Sequence, residues 1–232
     1  MIPRRPGAVL FDLDGTLVDS APDLAQAVNA MLRALDRETA AEDDVRAWVG
    51  NGARRLVMRA LTGSFDEEPE TVLLNRALAL FFDFYAEHLC ERSALYPGVR
   101  DCLETLASDR VPLAVVTNKP TRFTGPLLAA LGVEGYFHAL VSGDTLTVKK
   151  PDPAPLRHAA NLCKVDAERC VMVGDSMADL RAAREANMPM VCVSYGYHLG
   201  GDVFDAGPDL VVDNLSGLFG NDDSTDAQQG YR

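Results

Sequence analysis

Ala8-Val9-Leu10-Phe11-Asp12-Leu13-Asp14-Gly15-Thr16-Leu17-Val18-Asp19-Ser20 is the stretch around which this chain is organised. Its apolar run, Ala8 to Phe11, reads as a buried strand. The run stops abruptly at two carboxylates, Asp12 and Asp14, with Gly15 and Thr16 behind them. At the carboxyl end of a strand, where the chain turns at a glycine, the two acids converge on one crevice. Open parallel sheets bind ligands at that edge. Like charges beside a hydrophobic strand raise each other's pKa, a cost that a metal cation would relieve. One carboxyl kept protonated would serve as an acid. A plain Asp-Gly turn after a strand is the competing reading of these residues alone.

The pattern beyond this stretch decides the fold. Leu24, Val28, Met31, Leu32 and Leu35 share one helix face, and Pro22 and Asp23 suit that helix's first turn. A charged segment, Glu38 to Arg46, leads through Trp48 to Gly50-Asn51-Gly52, after which a helix carries Leu56, Val57 and Leu61. After a break at residues 63–69, a long helix from Glu70 to about Cys90 carries Leu74, Leu78, Phe81, Phe82 and Tyr85. No strand is expected between residues 18 and 92.

From Pro97 onward helices and apolar strands alternate. Strands are expected at Pro112–Thr117, Ala139–Ser142, Cys170–Gly174, Met190–Ser194 and Leu210–Val212. Strands apolar on both faces, alternating with helices, imply a parallel sheet covered by helices. The expected class is therefore α/β: a Rossmann-like core of residues 1–17 and 93–219, with an inserted α-helical cap at 18–92. The polar residues 220–232 read as a disordered tail.

Composition sets bounds. The 232 residues are 47% apolar, enough for a sizeable core. A formal net charge of −12 argues against a nucleic-acid backbone or an anionic membrane as partner. The five cysteines, with no Cys-x-x-Cys pair, read as ordinary thiols of a reducing compartment. No run is long enough to span a membrane and no signal peptide fits, so a cytoplasmic monomer or homodimer is expected.

The chemistry sits after the strands. The first ends in Asp12-Leu13-Asp14-Gly15-Thr16, the second in Thr117-Asn118-Lys119. The third leads through Gly143-Asp144 to Lys149-Lys150-Pro151, and the fourth ends in Gly174-Asp175-Ser176-Met177-Ala178-Asp179. Each has a bland reading: a helix cap, a solvated basic pair, acids offsetting a helix dipole. In a parallel sheet, however, all four ends share one edge. Carboxylates there suit a metal, while hydroxyl, amide and ammonium groups suit the oxygens of an anion.

These four motifs, in this order over about residues 8–215, resemble those of the haloacid dehalogenase-like phosphohydrolases. Within that superfamily, Val49-Gly50-Asn51-Gly52-Ala53, Thr117-Asn118-Lys119-Pro120, Gly143-Asp144-Thr145-Leu146 and Lys149-Lys150-Pro151-Asp152-Pro153-Ala154-Pro155-Leu156 are similar to the bacterial phosphoglycolate phosphatases. The resemblance implies Mg2+-dependent hydrolysis of 2-phosphoglycolate to glycolate and phosphate through an aspartyl-phosphate. It implies Asp12 as nucleophile and Asp14 as general acid and base. Asp12, the backbone carbonyl of Asp14, and Asp175 would hold Mg2+. Thr117 and the Asn118 amide would bind the phosphoryl oxygens, Lys150 would stabilise their charge, and Asp179 would position Lys150 or a metal-bound water. Counting one lysine and one Mg2+ against the acids and the phosphate leaves excess negative charge, so Asp14 is expected to carry a proton when substrate binds.

Ala178 stands where the superfamily often has Asn. Asp14 argues against dehalogenation, whose halide leaving group needs no proton, and Thr16 favours hydrolysis over a sugar-phosphate mutase. A related phosphatase for another small ester, pyrophosphate or a nucleotide would use the same core. A catalytically silent binding protein would lack Asp12 or Lys150, and both are here. Specificity is expected in the cap, where Asn51 opens a helix and Arg54 or Arg55 would pair with a substrate carboxylate.

Overall fold

The computed structural model describes residues 2–3, 5–198 and 203–219; the tail expected at 220–232 lies outside them. In chain order the elements are β1 (Ala8–Phe11), β2 (Val18–Asp19), α1 (Ala21–Ala34), α2 (Glu42–Trp48), α3 (Ala53–Thr62) and α4 (Thr71–Glu87). They continue with β3 (Ala94–Leu95), α5 (Val99–Ser108), β4 (Leu113–Val116), α6 (Thr121–Ala130), β5 (Ala139–Val141) and α7 (Ala154–Leu162). The last are β6 (Cys170–Gly174), α8 (Met177–Glu185), β7 (Met190–Val193) and β8 (Leu210–Val212).

Six strands form one sheet in the order β5-β4-β1-β6-β7-β8, and every pairing in it is parallel. The chain starts at the centre, steps outward through β4 to β5, then returns to β6 on the other side of β1. The order therefore reverses between β1 and β6, the place where a crevice opens at the strands' carboxyl ends. In β1, Ala8 and Leu10 pack with Leu156 of α7 and Leu180 of α8. Val9 and Phe11 pack on the opposite face with Leu103 of α5 and Leu127 of α6. Alternation within a strand buried on both sides gives the sheet two apolar layers.

The segment between the sheet's first and second strands packs as a third cluster. Leu24, Val28, Leu56, Leu74, Phe81 and Tyr85 bury one another, and Phe123 of α6 joins them from the core. The sequence pattern missed three elements here. Val18–Asp19 and Ala94–Leu95 form a short antiparallel ladder where the chain leaves and re-enters the core; its first strand corrects the expectation of no strand between residues 18 and 92. The charged segment forms α2, a helix whose only fully buried side chain is Val45, too little to produce a periodic signal. Asp23, wholly buried, ties the two passages together. Its carboxylate accepts N–H bonds from Glu91 (3.1 Å), Arg92 (2.9 Å) and Ser93 (2.8 Å), and the Ser93 hydroxyl at 2.6 Å.

Among the described residues, no helix is long and apolar enough to cross a membrane. All five cysteines are unpaired thiols.

Candidate active site

Asp12 follows β1, and its own N–H still donates to Val173 O of β6 at 2.9 Å. The ladder thus fixes the acid at the switch point. Its Oδ1 accepts from the Leu13 N–H at 2.7 Å and lies 2.8 Å from Lys150 Nζ. Lys150 is buried, and Nζ also donates to Asp179 Oδ1 at 2.7 Å and to Val116 O at 2.6 Å. An ammonium has three donors, and here each meets an oxygen. Asp179 is held from the other side by the Ser176 N–H and hydroxyl, at 3.0 and 2.6 Å on Oδ2, as part of the α8 capping box.

Asp175, at the end of β6, accepts from Thr16 Oγ1 at 2.9 Å and from the Tyr197 N–H at 2.7 Å. Oxygens of Asp12, Asp175 and Asp179 lie within 4.8 Å of one another, all three residues buried. Burial pushes the Asp12 carboxyl up to about 8, against the pull of Lys150 and with the repulsion of Asp179 and Asp175. Burial, reinforced by Asp179, lifts Asp175 to about 7. Three acids and one lysine leave this floor with excess negative charge when ionised. Its hard carboxylate oxygens are the donor set that Mg2+ takes, and a divalent cation would offset the charge that burial penalises, so the residues fit such an ion.

Asp14 faces a different environment. Its carboxylate lies 3.0 and 3.3 Å from Lys119 Nζ and accepts the Ser20 hydroxyl at 2.5 Å. Lys119 Nζ also donates to the Tyr85 hydroxyl of α4 at 2.7 Å. Burial works against the Lys119 charge, but Asp14 and Tyr85 outweigh it and hold the ammonium above its ordinary value. The charge count made from sequence included one lysine; the site holds a second, on Asp14.

Thr117 and Asn118, after β4, line one cavity with Asp12, Asp14 and Lys119. The cavity's other wall is mostly apolar: Leu24, Val49, Leu56, Phe81 and Phe123. Asn118 Nδ2 donates to Gly50 O and to Lys150 O, both at 3.0 Å, joining the β4 loop to the helical segment. Lys149 Nζ adds a bond to Asn51 O at 2.9 Å.

The residues expected to read substrate from the cap do not reach this cavity. Arg54 and Arg55 are exposed, because the start of α3 turns Leu56, Val57 and Met58 inward instead. Arg55 lies 3.7 Å from Glu68. The Asn51 side chain is taken by Arg59, whose guanidinium donates to Asn51 Oδ1 at 2.7 Å and to Trp48 O at 2.6 Å. Sequence reasoning missed the roles of Lys119, Tyr85, Ser20 and Tyr197. Only Lys119 left a trace, as part of the Thr-Asn-Lys segment after β4.

Fold and site together define an α/β enzyme with a carboxylate centre at the switch point of a parallel sheet, roofed by helices. The chain matches the haloacid dehalogenase-like hydrolases over residues 6–187 and belongs to that family. Among curated relatives, the phosphoglycolate phosphatase of Nitrosococcus oceani is 47% identical over 212 residues, spanning 91% of this chain and 94% of that one. The phosphoglycolate phosphatase of Pseudomonas putida is 47% identical, over 92% of this chain and 78% of that protein. The crystal structure of a predicted phosphoglycolate phosphatase from Haemophilus somnus superposes with a TM-score of 0.85 at 33% identity, covering 94% of this chain and 98% of that one. CbbY from Rhodobacter sphaeroides, solved in complex with phosphate, gives 0.74 at 27% identity over 92% and 96% of the two chains.

Proposed function

We propose that this chain is a Mg2+-dependent phosphatase that hydrolyses 2-phosphoglycolate to glycolate and phosphate. The observation that carries the reading is the separation of its two central acids. Asp12 rests on Lys150 among the buried carboxylates, while Asp14, two residues later, is bonded to Lys119 and Ser20 instead. In this reading one acid attacks and the other handles a proton. The names of the relatives supply the substrate.

Asp12 Oδ attacks the phosphorus, the ester bond to the alkoxide breaks, and Asp14 gives its proton to the leaving oxygen. An aspartyl-phosphate remains, so one hard displacement becomes two easier ones. Asp14 then takes a proton from water as that water attacks the phosphorus, releasing phosphate and restoring the Asp12 carboxylate. Thr117 and the Asn118 amide bind the phosphoryl oxygens, and Lys150 stabilises their charge through its fixed position. Asp179 holds Lys150 in place. Asp12, Asp175 and the Asp14 carbonyl would hold Mg2+, which when bound offsets the charge of the phosphoryl oxygens. The apolar wall keeps bulk water from the intermediate. We place the protein in the cytoplasm, on its unpaired thiols.

A panel of small phosphate esters, pyrophosphate and nucleotides, assayed with Mg2+ and with chelator, tests this. The expected result is Mg2+-dependent turnover with 2-phosphoglycolate preferred. Activity indifferent to chelator would overturn the mechanism, and preference for another ester would overturn the substrate.

A further inference from the structure

We propose that Lys119 is the residue that binds the substrate's carboxylate, with Tyr85 as its positioning residue. The inference rests on the phosphoglycolate reading and names the group that would make the site selective.

Among the described residues that line the cavity, Lys119 is the only cation. Lys150 lies beneath, with its three donors spent on Asp12, Asp179 and Val116 O. Arg54 and Arg55 do not line the cavity. Lys119 lines the cavity itself. Its ammonium bonds Asp14 Oδ1 at 3.0 Å and the Tyr85 hydroxyl at 2.7 Å, and its third contact, to Asp14 Oδ2, is the longest at 3.3 Å, the one a substrate carboxylate can replace. Nζ also lies 4.7 Å from the Tyr85 ring centroid, so the ring and its hydroxyl together fix where the charge sits.

The distances suit a short carboxylate ester. Lys119 Nζ is 3.0 Å from Asp14 Oδ1, on the carboxyl proposed to protonate the ester oxygen. In phosphoglycolate one carbon separates that oxygen from the carboxyl carbon, so a carboxylate oxygen can fold to about 3 Å from the ester oxygen, given bond lengths of 1.2–1.5 Å. The ester oxygen on Asp14 and the carboxylate on Lys119 then close a compact ring of contacts, each near ordinary hydrogen-bond length. A neutral substituent at the same place would face a buried ammonium without pairing it, a penalty that works as selectivity. The remaining wall is apolar and offers a longer polar substrate nothing in exchange.

The test compares kcat/KM on 2-phosphoglycolate and on propyl phosphate, which carries an ethyl group where the carboxylate stands. Wild type, Lys119→Met and Tyr85→Phe are assayed. For Lys119→Met the loss on phosphoglycolate should exceed the loss on propyl phosphate by about 10- to 100-fold, the range for removing a hydrogen bond to a charged group, with KM carrying much of it. Tyr85→Phe keeps the ring and should narrow the preference by about 3- to 10-fold. A purely structural role for Lys119 would lower both esters by the same factor, and that result overturns the inference. If Lys119→Met fails to fold, Tyr85→Phe carries the test: an unchanged ratio overturns the inference, a narrowed one supports it. A wild type without preference for phosphoglycolate overturns the substrate reading beneath it. A wild-type preference that survives both variants overturns only the assignment to Lys119.

Discussion

The floor and the roof of the cavity are built from opposite materials. The floor packs Asp12, Asp175, Asp179 and Lys150 into a buried lattice in which each charged group is held by strand ends or helix caps. The roof offers Val49, Leu56, Phe81 and Tyr85, whose single hydroxyl accepts from Lys119. A floor of this kind grips charge with fixed dipoles; a roof of this kind excludes water and reads shape. Chemistry should therefore be broken by changes below, and substrate choice by changes above.

The largest effect is expected at Asp12. Asp12→Asn keeps the shape and removes the carboxylate proposed to attack, so turnover should fall by about 10⁴-fold or more with the fold retained. Steady-state kinetics beside circular dichroism would check both halves; residual turnover within tenfold of wild type would remove Asp12 from the nucleophile's role. Lys150→Met comes next. It strips the shared partner from Asp12 and Asp179, and should cost about 10²- to 10³-fold in kcat. Leaving buried acids unpaired should also lower stability by about 3–5 kcal/mol, measurable by urea unfolding. An equivalent cavity change in the roof, Leu56→Ala, should cost about 2–5 kcal/mol of stability without a kcat loss of that size.

The floor also predicts a pH signature that the roof cannot produce. Asp12 and Asp175 sit at about 8 and about 7 in the folded chain, raised by burial from 3.8. The folded protein keeps protons there that the unfolded chain releases above about pH 4, so metal-free stability is greatest at low pH and declines as pH rises toward 8. Melting temperature in chelator should fall from pH 5 to 8.5. Asp12→Asn should flatten that slope, and Mg2+ should flatten it by offsetting the same charge. A melting temperature that climbs over this range in chelator would mean the acids are not destabilised by burial.

Legibility in the sequence divides along the same line. The floor residues come after apolar runs that read as strands, and a parallel sheet brings all such ends to one edge. Asp12, Lys150, Asp175 and Asp179 could thus be grouped before any contact was known. The roof has no such rule. Lys119 meets Asp14 across 105 positions and Tyr85 across 34, and nothing local marks either pairing. Tyr197 holds Asp175 through its backbone N–H, a donor every residue but proline has. Arg54 and Arg55 sit beside the Gly50–Gly52 turn in sequence, yet α3 buries Leu56 to Arg59 and leaves both arginines outside. The charged helix α2 and the two-residue ladder of β2 with β3 were invisible because each buries too little, or pairs too few residues, to leave a pattern.

The cleanest comparison sets two glycines against one atom. The Asn118 carbonyl oxygen lies between Gly143, in the loop after β5, and Gly52, at the start of α3. A Cβ added at Gly143 would fall 2.2 Å from that oxygen; one added at Gly52 would fall 3.0 Å from it. The first approach is too close for any neighbour to absorb, so Gly143→Ala must shift the Thr117–Asn118 loop. A displacement of about 1 Å there should cost about 10²-fold in kcat/KM on every ester. Gly52→Ala meets the same oxygen at a distance that a few tenths of an ångström relieve, but its φ of +86° with ψ of 164° is a backbone conformation that essentially only glycine adopts, a strain of about 1–3 kcal/mol for a residue with a side chain. That strain falls on the start of α3 and on the roof it carries, so KM should rise about 3- to 10-fold while kcat holds within about twofold. If Gly52→Ala lowered kcat more than Gly143→Ala did, the grip on the phosphoryl group would belong to the roof, and the division between a floor that reacts and a roof that selects would be the wrong way round.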